Sequence, residues 1–183
     1  MPRLTSTHFL AVTFLAVAAA PLAAQGADKD ALIKSALAAA PPDIAKGAAV
    51  IAPGPDGKMV ELRAGTNGFT CLPDQPDTPG KDAMCLDPQA MIWAQSWMAH
   101  DPVPKNTAPG IAYMLSGGSD ISANDPWAKI VPGQTFVESP PHWMVMWPFD
   151  ATSSGFGTTP QTHGTWIMFA GTPYAHLMIN QVP

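Results

Sequence analysis

The sequence predicts an α+β fold, in which a mostly antiparallel sheet carries two packed helices and long Pro/Gly-rich loops. Three observations lead to this prediction. Short apolar segments stand between tight-turn signals, as the strands of hairpins do. Only two segments combine helical periodicity with a start signal. The 21 prolines and 15 glycines among 183 residues indicate long turns and loops.

The first 24 residues have the pattern of a secretory signal peptide. Arg3 supplies a positive charge, an apolar run covers residues 9–22, and the small residues Ala23 and Ala24 follow. The run is shorter than the ~20 residues that a transmembrane helix needs, so we expect cleavage near Ala24 and no membrane span afterwards. We expect residues 25–183 to form a single globular domain that is periplasmic or secreted.

The charge and the cysteine content of the chain indicate which partners and which cellular compartment to expect. The chain has 9 basic against 14 acidic residues, so we do not expect it to bind nucleic acid. Cys71 and Cys85 are the two cysteines, and an oxidising compartment favours a disulfide between them over a pair of soft metal ligands. Asp74, Asp77 and Asp82 lie between the cysteines. Their spacing does not match an EF-hand loop, which favours a solvated turn over a calcium site.

The first half of the mature chain predicts one helix and three strands. Residues 28–40 have a helical pattern that Asp28 or Asp30 can cap and that Pro41-Pro42 ends. The turn sequences Asp56-Gly57 and Asn67-Gly68 then separate three strand segments. We expect a three-strand meander built from residues 48–52, 59–63 and 69–72.

A second helix has the clearest start signal in the chain. Asp87 is a capping residue, and Pro88 stands at the first helical position. The helix is predicted to reach His100, with Trp93, Trp97 and His100 on one stripe that faces the core. Five further strands are predicted at residues 110–116, 134–138, 142–147, 165–171 and 174–180.

The last predicted hairpin sorts its side chains into two chemically different faces. With a loop at residues 171–173, Met168 lies opposite His176 and Trp166 lies opposite Met178. One face is then plain apolar core, with Ile167, Phe169, Ala175, Leu177 and Ile179. The other face carries Trp166, Met168, Tyr174, His176, Met178 and Asn180. The strand at 142–147 repeats the second pattern with His142, Met144 and Met146.

If these strands are neighbours, imidazole and thioether groups share one face. Such ligands suit copper, particularly Cu(I), better than zinc or calcium. The predicted metal ligands are His142, His176, Met144 and Met178, with His100 and His163 as candidates for a third imidazole. The residues predicted to line the pocket beside them are Met146, Met168, Tyr174 and Trp166.

Three functions remain open for this face. The first is an exported protein that binds a small ligand or a soft metal such as copper in a His/Met/aromatic pocket. The second is a structural or interaction domain, in which methionine and tryptophan are ordinary packing. The third is a secreted, hydrolase-like enzyme that uses a histidine of the pocket with Ser119 and either Asp120 or Asp150. The sequence contains no G-x-S-x-G nucleophile turn.

The segments GTNGFTCLPD, DAMCLDPQAM, GIAYMLSGG, PPHWM and GTPYAHLMI together resemble a family of small secreted bacterial proteins of unassigned function. The resemblance covers most of the mature chain. It implies an exported single domain, and it brings no catalytic residues, because none are assigned in the family.

Overall fold

The computed structural model describes residues 22–75 and 77–180, so nearly all of the predicted signal peptide (residues 1–24) lies outside the described residues. The helices are α1 (Leu22–Leu37), α2 (Pro42–Gly47), α3 (Pro88–Met98) and α4 (Ala151–Ser154). The strands are β1 (Ala49–Pro53), β2 (Met59–Arg63), β3 (Thr70–Leu72), β4 (Met84–Leu86), β5 (Gly110–Met114), β6 (Gly118–Asp120), β7 (Val137–Ser139), β8 (His142–Met146), β9 (Gly164–Met168) and β10 (His176–Asn180).

Eight of these strands form one sheet in the order β2-β1-β3-β4-β5-β8-β10-β9. Every neighbouring pair in the sheet is antiparallel except β1 and β3, which run parallel. Strands β6 and β7 form a separate antiparallel ribbon. The two longer helices, α1 and α3, pack on the sheet. The predicted α+β fold with a mostly antiparallel sheet is confirmed.

The predicted meander over residues 48–72 is wrong, because β1 lies between β2 and β3. After β2, the chain crosses the end of β1 instead of turning back beside β2. Gly65 permits this crossing, since a Cβ there would lie 2.3 Å from the amide nitrogen of Ala49. The amide of Ala49 also donates to the carbonyl of Phe69 (2.8 Å). Strand β1 buries Val50 and Ala52, whereas β2 is exposed or half-buried throughout, which suits an edge strand.

The strand register gives the sheet two separate faces. Cys71, Cys85 and Tyr113 lie side by side in successive strands and pack beneath α1. Ala112 and Met144 are also side by side, but they point to the opposite face and pack beneath α3. The two helices therefore cover opposite faces of the sheet, and the candidate site lies on the α3 face.

The start of α3 agrees with the local sequence signal, whereas the end of α3 and the start of α1 differ from the prediction. Asp87 caps α3 by accepting a hydrogen bond from the amide of Ala90 (2.7 Å), as predicted. The helix ends at Met98, because His100 takes a left-handed backbone conformation (φ 54°). Helix α1 begins at Leu22, upstream of the predicted caps, since residues 22–25 are strong helix formers.

The disulfide between Cys71 and Cys85 is present and joins directly paired positions of β3 and β4. This confirms the predicted pairing and places the bond in the buried layer beneath α1. Among residues 22–75 and 77–180, none of the helices combines the length and the apolar character required to cross a membrane.

Candidate functional site

A cavity of about 450 Å³ lies between the sheet and α3. Its size falls in the range of roughly 300–1,000 Å³ that is typical of small-molecule sites. Trp93, Ala94 and Trp97 of α3 form one wall, and the side chains of β4, β5, β8, β9 and β10 form the facing wall. The remaining wall comes from residues 75, 77, 78 and 82 of the loop that the disulfide closes, and from residues of the segment 118–128, which contains β6 and the loop after it.

The cavity wall is unusually rich in thioethers. Ten methionines occur in the sequence, and eight of them line this one cavity. Methionine is flexible and polarizable, so such a wall adapts its shape to the molecule that it contacts. The eight residues are Met84, Met91, Met98, Met114, Met144, Met146, Met168 and Met178.

The register of β8, β9 and β10 brings the predicted histidine and methionine residues to this wall. Strand β10 lies between β8 and β9, with Met178 opposite both Met144 and Trp166. His176 lies opposite Met168. His142, His176, Met144, Met146, Met168 and Met178 all line the cavity.

His142 is buried where β5 and β8 meet the end of the cavity. Its Nδ1 lies 2.7 Å from the carbonyl oxygen of Pro140. Because a carbonyl only accepts, Nδ1 carries the proton and donates it, and Nε2 keeps a free lone pair. No hydrogen bond to Nε2 occurs among the described residues. Burial lowers the pKa of His142, which keeps the imidazole neutral at pH 7.

His176 has the same arrangement at the other end of the cavity. Its Nδ1 lies 3.1 Å from the carbonyl oxygen of Tyr174, so its Nε2 also keeps the lone pair. The pKa of His176 is lowered to about 4, mainly by burial, and the charge of His142 acts in the same direction. The ring packs edge-on against Trp93 (5.2 Å between ring centroids) and Phe169 (5.4 Å).

The two imidazoles share a face but lie at different positions along it. His142 pairs with Asn180, and Met144 pairs with Met178. Continuing this antiparallel register places His176 level with Met146, four residues from His142 along the strand. At a rise of ~3.3 Å per residue, the two backbone positions are about 13 Å apart. This spacing does not favour a single ion that is bound by both imidazoles.

Carboxylates occupy the His142 end of the cavity. Asp82 is buried and accepts hydrogen bonds from the amide of Ser119 and the hydroxyl of Thr78. The Ser119 hydroxyl lies 3.3 Å from the same carboxylate and accepts from the amide of Gly80 (2.9 Å). Burial raises the pKa of Asp120 to about 6, and the negative charge of Asp82 adds to this effect.

Gly118 lies where these groups meet. A Cβ at this position would be 2.8 Å from Cε of Met114, 3.4 Å from Oδ1 of Asp82 and 3.5 Å from Cε1 of His142. A thioether, a carboxylate and an imidazole therefore surround a residue that has no side chain. A Cβ at this position would force the methyl group of Met114 to move.

Several residues that the sequence placed in the site lie elsewhere. Trp166 and Tyr174 are fully buried in the surrounding core but do not line the cavity. The hydroxyl of Tyr174 donates to the carbonyl of Asp101 (2.9 Å). His100 stacks on Trp127 outside the cavity, and His163 is exposed in a loop.

Phe169 is on the other face of the sheet from the one expected. It was grouped with Ile167 in the apolar core, but its ring contacts His176 and belongs to the core cluster around the cavity. Strand β9 ends at Met168, and Phe169 takes a left-handed conformation (φ 55°). Strand alternation stops there, so it no longer determines where the side chain points.

The described residues do not form the proposed Ser-His-Asp arrangement. The Ser119 hydroxyl bonds to Asp82 and Gly80, and no hydrogen bond joins it to His142 or His176 in the described part of the chain. Asp150 caps α4 by accepting from the amide of Ser153 (2.8 Å). No group of three or more His, Cys, Asp or Glu side chains placed to hold a metal ion occurs among residues 22–75 and 77–180.

Sequence reasoning missed the acidic end of the cavity. Asp77 and Asp82 were interpreted as parts of a solvated turn, yet both line the cavity. The contact between Asp82 and Ser119 spans 37 residues, so no local pattern announces it. The one sequence feature that could have indicated an ordered loop was the pair of cysteines, because the disulfide fixes both ends of this loop in the sheet.

Comparisons with models of protein families, with curated proteins and with solved structures find no match for this chain. The fold and the cavity therefore define its class from their own features: an α+β protein with a methionine-lined cavity on one face of its sheet.

Proposed function

We propose that this protein binds a small, largely apolar molecule in the cavity between the sheet and α3. The observation that carries the proposal is the convergence of eight of the ten methionines on one cavity of about 450 Å³. Methionines from α3, β4, β5, β8, β9 and β10 contribute to it, so residues distant in sequence share one wall. Ordinary packing would fill such a space with side chains rather than leave it open.

The polar groups of the cavity are few and are held in place, as in small-molecule sites. Backbone carbonyls fix the imidazoles of His142 and His176 by their Nδ1 atoms. Each Nε2 then remains an acceptor for a ligand hydrogen or a soft cation. These groups supply orientation, and the methionine and tryptophan side chains supply contact area.

We further propose that binding takes place in the periplasm or outside the cell. The disulfide between Cys71 and Cys85 supports this location, because such bonds persist mainly in oxidising compartments. The signal-like pattern of residues 1–24 supports it as well. A reporter enzyme that is active only after export, fused behind residues 1–24, tests the location.

A neutral fluorescent probe tests binding directly. N-phenyl-1-naphthylamine brightens in apolar sites, and we expect a saturable increase with the purified protein. Ala94→Phe adds a ring inside the cavity, because Ala94 lines it, and should weaken probe binding at least about tenfold. Gln95→Phe is the matched control, since Gln95 is exposed on the same helix and does not line the cavity. Absence of saturable binding, or equal affinity in both variants, would overturn the proposal.

A soft metal ion, Cu(I) in particular, is the second candidate. The specific observation in its favour is the free Nε2 lone pair of each histidine beside several thioethers. The register favours one imidazole with neighbouring methionines over the four-ligand set of His142, His176, Met144 and Met178. His142 lies opposite Met114, and His176 lies opposite Met168.

Elemental analysis after anaerobic Cu(I) loading tests this candidate. Without a His tag, we expect one copper per chain, and His142→Leu or His176→Leu should abolish retention according to which end binds. His163→Leu removes an exposed imidazole and should have no effect. Sub-stoichiometric copper in the loaded wild-type protein would rule the candidate out.

A further inference from the structure

We propose that the molecule bound in this cavity is an organic cation, with an apolar body against the methionine wall and an ammonium group at the His142 end. This inference rests on the proposed function, since it specifies the ligand of the same cavity. It follows from the sign of the charges that line the cavity and from the acceptors that lie at one end of it.

All the charged residues that line the cavity are acidic. Asp77, Asp82, Asp120 and Asp125 contribute carboxylates, and no lysine or arginine among the described residues lines it. None of these four carboxylates forms an ion pair with a cation in the described part of the chain. Asp77 and Asp125 are exposed, whereas Asp82 is buried and Asp120 is half-buried. Low-polarity walls around Asp82 and Asp120 concentrate their field, so this end of the cavity attracts positive charge.

A neutral imidazole provides an independent sign that a ligand donor is expected here. His142 is 1% exposed and lines the cavity, yet its Nε2 has no hydrogen-bond partner among the described residues. His142 lines the cavity and its Nε2 keeps a lone pair, so the N–H of an ammonium group can donate to it. Cε1 of the same ring and Oδ1 of Asp82 lie 3.5 Å and 3.4 Å from the position that a Cβ at Gly118 would take. The ammonium group therefore meets an imidazole acceptor and a carboxylate at one place.

The Asp120 carboxyl shows that negative charge at this end lacks compensation. Burial raises its pKa to about 6, and the neighbouring Asp82 carboxylate contributes in the same direction. A bound cation would relieve both effects, because it replaces lost hydration and screens the repulsion between the two carboxylates. Trp93 and Trp97 on the facing wall supply aromatic surface for the rest of the molecule.

Three probes of similar size and different charge test the inference. They are 2-phenylethylamine, which is protonated at pH 7.5, neutral 2-phenylethanol and anionic 3-phenylpropionate. Each is titrated against wild-type protein loaded with N-phenyl-1-naphthylamine, and displacement gives its affinity. We expect the amine to bind at least about tenfold more tightly than the alcohol, and the acid to bind most weakly.

The Asp120→Asn variant then locates the effect. Asp120 accepts from the adjacent amide of Ile121 (3.0 Å), a bond that an asparagine side-chain oxygen also makes. We expect the amine to lose most of its advantage, while the alcohol keeps its affinity and thereby reports an intact cavity. Asp43→Asn removes the same charge from an exposed position in α2 and should leave all three affinities unchanged.

The outcomes separate this inference from the proposed function. Failure of N-phenyl-1-naphthylamine to bind overturns the proposed function. If that probe binds but the amine and the alcohol displace it equally, or neither displaces it, the preference for a cation is overturned and the cavity remains a ligand site. The wild-type series decides the preference even if Asp120→Asn does not fold.

Discussion

At the scale of single residues, burial determines the protonation state of the cavity histidines. The side chains of His142 and His176 are 1% and 2% exposed, and each ring donates from Nδ1 to a backbone carbonyl. Burial penalises the charged imidazolium more than the single hydrogen bond stabilises it, so the pKa of each ring is lowered. Both rings therefore enter the site as neutral acceptors.

The lowered pKa of His176 makes the free energy of unfolding depend on pH. Its pKa is about 4 in the folded protein against 6.5 for the free side chain. Between these values the unfolded chain binds a proton that the folded chain does not, so stability falls as the pH falls through this window. His176→Leu removes the effect. We expect the stability of the wild type relative to this variant to drop by roughly 3 kcal/mol between pH 7 and pH 4.

Urea unfolding at a series of pH values measures this difference. Asp120 acts in the opposite direction, because its raised pKa makes the folded protein bind a proton first, but it is common to both proteins and cancels. His163→Leu replaces an exposed imidazole and should follow the wild-type curve. Parallel curves for the wild type and His176→Leu would show that His176 is not held neutral by burial.

At the scale of secondary-structure elements, the distance between α3 and β5 sets the shape of the cavity. Gly110 begins β5, and a Cβ there would lie 2.2 Å from the amide nitrogen of Ala90 and 2.6 Å from its Cα. The backbone of the helix thus lies directly on the strand. No side-chain movement relieves a contact between backbones, so any larger residue has to displace α3.

Gly110→Ala should therefore destabilise the fold by at least about 2 kcal/mol, a typical cost of overpacking a core. Thermal unfolding followed by circular dichroism measures the loss. Gly157→Ala is the matched control, since a Cβ at Gly157 meets nothing within 4 Å. We expect it to leave the melting temperature almost unchanged. A Gly110→Ala protein as stable as this control would contradict the close packing of α3 on β5.

Elements with local signals were predictable, and those that depend on distant contacts were not. Asp87 and Pro88 identify the start of α3 because capping is a matter of neighbouring residues. The order of β1, β2 and β3 was mispredicted, because the close approach of Gly65 to Ala49 depends on a chain crossing that tight-turn signals do not encode. Strand β6 escaped prediction for the same reason, since it pairs across a long loop with β7, which the predicted strand at 134–138 only partly overlaps.

At the scale of the whole molecule, the cavity combines one predictable wall with one that only the tertiary structure reveals. Alternation along two strands placed His142 and His176 on the same face, because the strand period of two residues is fixed. At the acidic end of the cavity, Asp82 accepts a hydrogen bond from the amide of Ser119, which is 37 residues further along the chain. The sequence therefore indicated the thioether and imidazole groups of the cavity but not the carboxylates that its two loop regions bring to it.

The disulfide joins two strands of the sheet and closes the loop that carries part of the acidic end of the cavity. Cys71 and Cys85 lie in adjacent central strands, and the loop between them carries Thr78 and Asp82. With the cysteines 14 residues apart, the cross-link should restrict the unfolded chain by roughly 3 kcal/mol. We expect reduction, or replacement of both cysteines by alanine, to lower the free energy of unfolding by about this amount in urea titrations.

The double alanine variant separates the effect of the bond from that of the reductant. It should unfold at the same urea concentration with and without dithiothreitol. For the wild type, dithiothreitol should lower the urea concentration at the unfolding midpoint. Both cysteines are fully buried, and alanine is smaller than cysteine, so the variant also loses packing beneath α1. The reduced wild type should therefore be slightly more stable than the variant and clearly less stable than the oxidised protein. Equal midpoints for the oxidised and reduced wild type would mean that the sheet holds this loop closed without the bond.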